Sequence, residues 1–553
     1  MRSFPASLLF IATVVLPLAA QTNLQSQQSQ STFQSGVEFI QISAIVQRGG
    51  KHVAGLTKDD FVLLQDGKPQ HLASFDEVHA SRAGLKTEEG TFGNVYSTGG
   101  DTPPQIVILA IDTVNTPTLE QANFREEMKK YLSDRKPDDP PIGLVELTRS
   151  GLRILHDFTR DSKALLAGME SIKALPSKNN DTSALISKTN NEQQQRNEGF
   201  ADQNPMMDEL MTRVLAQEEQ MTRFQNATTR IDSLLVLQQL AQTFKGIPGR
   251  KTLLWVGSGF PFMEISSINA AGQKSLAPDR AGSTLDQQAY TWQLLNDANI
   301  AVYPIDTRSV TNSAYDVMNP SNKYSPTFQQ KEVAREVESQ TTATFQAVAQ
   351  QTGGKPCVSR TDLHNCIREA AEENRDYYLL GFYLDKEHNS AGWHKVQLKL
   401  NQKASLRYRE GFIVAAHKPD ATRNTDLSTA LNSPFSFTSL RFSGRFKGTR
   451  EAGENRDVEF ELRIPPDSVS LADSSIDFDI LAMVRAPGGK EVAHIAQHIQ
   501  RSIPAENAAA IQKQGINYSN KLTVPAGEYG VWFVLRDNPT GRTGSVSVPL
   551  KVQ

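Results

Sequence analysis

One stretch constrains this chain more than any other. Gln105-Ile-Val-Ile-Leu-Ala-Ile-Asp112 is an unbroken apolar run that ends in a carboxylate, followed by Thr113, Asn115, Thr116, Pro117 and then a helical pattern. A continuous apolar run bounded by turn residues reads as a strand buried on both faces, which is the habit of a parallel sheet covered by helices. Asp112 is then expected at the sheet's carboxyl edge, where open α/β sheets meet their ligands.

The surrounding sequence supports that sheet. From Gln105 to about Val310 strands alternate with helices: strands are expected at 142–147, 152–155, 251–256 and 300–306, the last also ending in an acid, Asp306. Helices are expected at 119–132, from Asp161, through Leu234, Leu237, Leu240 and Phe244 with Gly246 as cap, and at 287–296. The Asn, Gln, Glu and Met-rich stretch 177–225 reads as an insertion without an assigned conformation.

Both flanks read as β-structure. Alternating apolar residues and the Asp66-Gly67 hairpin signal predict a small β-domain over 36–80, and a Gly/Ser/Thr-rich linker is expected over 81–104. Helices at 333–351 and 363–373 precede three alternating strands at 377–383, 393–400 and 406–409, all assigned to an α/β region running 105–415. Beyond 430 helices nearly vanish, and runs such as 458–464, 478–484 and 529–535 predict a β-sandwich over 430–553.

The chain of 553 residues carries 58 basic against 61 acidic side chains, a balance that gives no electrostatic reason to expect nucleic acid or an anionic membrane. Residues 1–20 place Arg2 before an apolar run from Leu8 to Ala20, too short for a stable membrane anchor, and read as a secretory signal peptide. A Gln/Ser-rich linker follows over 21–35, and no later segment is apolar enough to span a membrane. Export, to a periplasm or beyond the cell, gives the only two cysteines a meaning: Cys357 and Cys366 are expected to form a disulfide, with two free buried thiols as the alternative.

Several phrases occur in a distinctive order: Val53-Ala-Gly-Leu-Thr-Lys-Asp-Asp-Phe61, Gln65-Asp-Gly-Lys-Pro-Gln70, the Asp112 strand, Phe158-Thr-Arg-Asp161, Pro248-Gly-Arg-Lys-Thr252, Gly353-Gly354, Tyr377-Tyr-Leu-Leu-Gly381 and Tyr408-Arg-Glu-Gly-Phe412. Over Val37 to Val414 the chain resembles a family of exported bacterial proteins with a von Willebrand factor A-related domain. The resemblance implies a Rossmann-like α/β domain with a metal-ion-dependent adhesion site on its carboxyl edge.

The usual first motif of such a site is D-x-S-x-S, because a hard divalent cation needs several oxygen ligands. Here Asp112 and Thr116 keep the outer positions while Val114 supplies no oxygen, Ser258 stands where the later acid is expected, and Thr182 is the candidate for the third loop. Losing a carboxylate and a hydroxyl weakens Mg²⁺ binding, so the reading is a degenerate site with no cofactor. An occupied Mg²⁺ site on Asp112 and Thr116 is the alternative. Asp112 is expected instead to cap the following helix or to hydrogen-bond Ser258.

Three motifs look like chemistry and are read as structure. Gly246-Ile-Pro-Gly-Arg-Lys-Thr252 lacks the strand-then-helix context of a phosphate loop. Gly257-Ser258-Gly259 lacks the spacing of a nucleophile elbow, although His364, His388 and His394 exist as candidate bases for a Ser258 hydrolase. Tyr377, Tyr378, Phe382, Tyr383 and Trp393 suit strand packing better than a stacking platform. The sequence thus predicts an exported, non-enzymatic binding or scaffold protein that recognises a protein or cell-surface partner around Asp112, Asn115, Thr116 and Ser258.

Overall fold

The computed structural model describes residues 39–82, 90–95, 102–116, 118–148, 151–172, 233–260, 281–308, 328–384, 392–414, 419–471 and 474–553. The expected signal peptide, the Gln/Ser-rich linker, the 177–225 insertion, Thr182 and His388 lie outside these residues. The described residues form a mixed α/β fold with five β-sheets.

The central sheet has five strands in the spatial order Ile300–Asp306, Lys251–Gly257, Ile106–Asp112, Ile142–Thr148, Gly151–Thr159. The first four are parallel and the Gly151–Thr159 edge strand is antiparallel. Numbered along the chain, the order is 3-2-1-4-5, so the direction of winding reverses between the Asp112 strand and the Lys251–Gly257 strand. Alternate side chains of the Asp112 strand feed two separate cores: Ile106, Ile108 and Ala110 pack with Leu237, Leu240 and Trp292, while Val107, Leu109 and Ile111 pack with Phe124, Met128 and Ile367. Helices cover both faces, which explains why this strand reads as a continuous apolar run rather than an alternating one.

Beyond the Ile300–Asp306 edge, Cys357 forms a parallel bridge with Ile305 and is disulfide-bonded to Cys366 on the Leu363–Glu373 helix. The pairing is the one expected from sequence. It ties this helix to the sheet edge beside Asp306.

The strands after Asp376 belong elsewhere than the sequence places them. Asp376–Tyr383 pairs with Phe39–Arg48 on one side and Ser74–His79 on the other, and Gly392–Leu400 pairs with Phe61–Gln65. The two sheets enclose one core of Ile42, Val46, Leu63, Tyr378, Leu380, Phe382, Val396 and Leu398. This β-unit is therefore assembled from two distant chain segments. The capped turn Lys58–Asp60 and the Asp66-Gly67 hairpin are present, with Asp66 and Gly67 both at positive φ.

The C-terminal region is a sandwich of two four-stranded sheets around Phe460, Leu462, Ile480, Val484, Val531 and Phe533. One of its strands comes from the supposed linker: Phe92–Gly93 pairs with Ser443 and Gly444. Next to it, buried Asn94 acts as a clamp, donating to the carbonyls of Phe437 and Leu440 and accepting from Phe442 N. Gly527 opens the strand Gly527–Asp537, which forms a hairpin with Thr543–Val552, whereas the preceding strand Ile516–Val524 belongs to the other sheet. Among the described residues no helix is long and apolar enough to cross a membrane.

Candidate functional site

The point where the strand order reverses brings the ends of the Asp112 and Lys251–Gly257 strands side by side. Asp112 is fully buried. Its Oδ1 accepts from Val114 N at 3.1 Å and Asn115 N at 2.9 Å, and its Oδ2 accepts from Asn115 Nδ2 at 2.8 Å. The carboxylate thus closes the loop that follows its own strand. It neither caps the helix starting at Thr118 nor bonds Ser258; two backbone N–H groups only two and three residues away reach it first. Burial pushes its carboxyl up to about 6, against the opposing effect of those three donors.

The neighbouring loop approaches closely. A Cβ on Gly257 would stand 3.1 Å from both Asp112 Cβ and Thr116 Oγ1, so the glycine permits this contact. Thr116 is buried, and its hydroxyl accepts from Ser258 N at 3.3 Å. Asn115 Nδ2 also donates to Ser233 Oγ at 3.3 Å, joining the helix 233–244 to the cluster. Asp112, Asn115, Thr116 and Ser258 are consequently neighbours in one site.

Sequence reasoning missed Glu120, which organises the outer part of that site. Its Oε2 accepts from Ser258 Oγ at 2.6 Å and from Thr307 Oγ1 at 2.9 Å, uniting the first turn of the Thr118–Ser133 helix with two strand ends. Burial raises the Glu120 carboxyl and the two hydroxyl donors oppose it, while Asp306 adds a further push upwards. Asp306 itself is buried and paired with Arg308, which donates to both its oxygens at 3.0 and 2.8 Å. The available signal was Thr116 and Glu120, four residues apart at a helix start beyond a strand end, together with the acid closing the Ile300–Asp306 strand.

These residues fit a divalent cation poorly. The Asp112 oxygens are directed at N–H donors, Val114 carries no ligand atom, and the Ser258 hydroxyl is committed to Glu120. Asp112, Thr116 and Thr307 line a cavity of about 10 Å³. That is room for about one water, whereas Mg²⁺ usually keeps several waters of its own.

The other candidate motifs resolve into structure. Arg250 reaches Asn374 Oδ1 and Gly353 O, and buried Lys251 donates to Ala298 O at 2.9 Å, so the Gly-Arg-Lys phrase spends its cations on internal acceptors. Burial brings the Lys251 amine down to about 7. Tyr377, Tyr378 and Phe382 are fully buried, with Tyr377 Oη accepting from Arg250 N at 2.9 Å and Tyr378 donating to Val53 O at 2.7 Å. Tyr383 and Trp393 are partly exposed. His364 pairs with Glu127 at 2.8 Å and His394 with Asp66 at 2.9 Å; no described histidine is hydrogen-bonded to Ser258.

No protein-family model matches the sequence, and no curated protein matches it significantly. Among solved structures, a β-glucuronidase from glycoside hydrolase family 2 aligns with 32% of this chain at 9% identity and a TM-score of 0.15. A Bacteroides uniformis β-glucuronidase aligns with 32% at 11% identity and a TM-score of 0.14. The chain spans 17% and 19% of those two proteins, and likeness at this level carries no argument about activity.

Proposed function

We propose that this chain is an exported, non-enzymatic protein-binding or scaffold protein whose central α/β region is a von Willebrand factor A-type domain with a degenerate metal-ion-dependent adhesion site. The observation that carries this reading is the convergence of Asp112, Asn115, Thr116 and Ser258 where the strand order reverses, the place where open α/β sheets present their ligand sites. The 3-2-1-4-5 order with an antiparallel third strand supports the domain type. The Cys357–Cys366 bridge supports an oxidising, non-cytoplasmic destination, periplasmic or extracellular.

Within this reading the cluster divides its labour. Buried Asp112 closes its own loop and buried Thr116 joins that loop to Ser258, while partly exposed Asn115 and Glu120 present an amide oxygen and a carboxylate oxygen to a partner beside the Ser258 turn. Recognition runs through hydrogen bonds rather than through an ion bridge. Capture of a partner from a cell-envelope fraction by the full-length protein tests this. Capture should persist in EDTA and fall at least tenfold with Asn115→Arg or Ser258→Arg. Loss of capture in EDTA would favour the Mg²⁺-dependent adhesin, and covalent labelling of Ser258 by a serine-directed phosphonate would favour a hydrolase.

A further inference from the structure

A cleft of about 340 Å³ opens where three helices meet away from the Asp112 site: the helix 233–244, Ala281–Asp297 and Pro419–Asn432. Its volume lies within the range of about 300 to 1,000 Å³ usual for small-molecule sites. The chemistry of its lining is narrow, consisting of glutamine amides and threonine and tyrosine hydroxyls over an apolar floor of Leu294 and Phe437. Among the described residues no lysine, arginine or histidine lines it. The one carboxylate among the described lining residues, Asp426, is neutralised by Arg536, whose two nitrogens donate at 3.1 and 2.9 Å.

Part of this hydrogen-bonding capacity is unspent. Gln238 is bonded to Gln287 Oε1 at 3.0 Å and to Thr291 Oγ1 at 2.9 Å. The side chains of Gln239, Thr425 and Thr429, by contrast, make no hydrogen bond among the described residues. Gln242 donates its amide to the Tyr290 hydroxyl, which leaves its Oε1 buried without a partner. A buried acceptor of this kind at a cleft wall is satisfied by an ordered water or by a ligand hydroxyl that displaces it.

We propose that this cleft binds an uncharged, polyhydroxylated ligand, one or two sugar rings of a glycan. Sugar hydroxyls both donate and accept, as the amides and hydroxyls here require, and the C–H faces of a ring suit the floor made by Leu294 and Phe437. An anionic ligand would meet no cation among the described lining residues. An extended peptide would find no free strand edge among the described lining residues, since apart from Phe437 and the already paired strand residue Thr543 they lie on helices.

Calorimetric and saturation-transfer titrations of the full-length protein with maltose, cellobiose and N,N′-diacetylchitobiose test the proposal, with glucuronic acid as a charged control. Saturable binding of at least one disaccharide is expected, weakened tenfold or more in Gln239→Leu and Thr425→Val. These positions are partly or fully exposed, so melting should stay unchanged, and that is measured alongside. Asp112→Ala should leave sugar binding intact, which separates this site from the one at the sheet edge. Absence of saturable binding to all three disaccharides, persistence of binding in both variants, or a preference for glucuronic acid would overturn the assignment.

Discussion

The Asp112 carboxylate is both buried and saturated with donors, and the two conditions pull its proton affinity in opposite directions. Burial wins, placing the folded value at about 6 against 3.8 for the ordinary side chain. A folded value above the unfolded one means that protonation favours the folded state. The stability this group contributes is therefore complete below pH 3.8 and is lost as pH rises through about 6. The two-unit shift corresponds to something on the order of 3 kcal/mol. Asp112→Asn keeps an acceptor for Val114 N and Asn115 N but cannot ionise. Its melting temperature relative to wild type should rise progressively between pH 4 and 7 and then level off. Parallel melting curves over that range would show that the carboxylate is not buried as described.

At this scale the sequence was partly legible. Asp112, Asn115, Thr116 and Ser258 could be placed at one edge because strand ends are set by the hydrophobic pattern. The bonds among them could not, because Asp112 had several short-range donors to choose from. Glu120 was hidden for a related reason: one acid in the first turn of a helix is ordinary in sequence, and only the neighbouring loops reveal Ser258 and Thr307 bonded to it.

Among elements, periodicity located strands and helices well and identified their partners poorly. The Leu363–Glu373 helix and the Ile300–Asp306 strand lie where the pattern placed them. The strands at Asp376–Tyr383 and Gly392–Leu400 were recognisable by alternation, yet alternation states only that one face is buried and not against which segment. Gly246 shows the same limit. The sequence marks it as a helix cap, but its closest constraint is long-range: a Cβ there would lie 1.7 Å from Thr438 O, and its N–H donates to Thr438 Oγ1 at 2.9 Å. Gly246→Ala must push the Thr438 backbone away, at a cost of about 1–3 kcal/mol. The expected result is a lower melting temperature with faster proteolysis around 415–440. Unchanged melting and cleavage would mean that this contact does not hold the sandwich to the α/β region.

For the molecule as a whole, the unexpected feature is that the chain returns twice to earlier structure. Residues 376–414 complete a β-unit begun at 39–79, and Phe92–Gly93 joins a sandwich built mainly from residues beyond 440. A chain lacking residues 1–80 loses Ile40, Ile42, Val46, Phe61 and Leu63 from a core shared with Tyr378, Leu380 and Phe382. It should aggregate or bind a hydrophobic dye strongly, whereas a self-contained N-terminal domain would leave the remainder soluble and dye-free. The central proposal is that the carboxyl edge of the α/β sheet recognises a partner without a bridging cation, because Asp112 is spent on its own loop. Calorimetric titration of Mg²⁺, and then Mn²⁺, into the full-length protein tests this most directly. The account predicts no saturable heat in wild type and none in Asp112→Ala, whereas one-to-one binding in wild type that disappears in Asp112→Ala would contradict it.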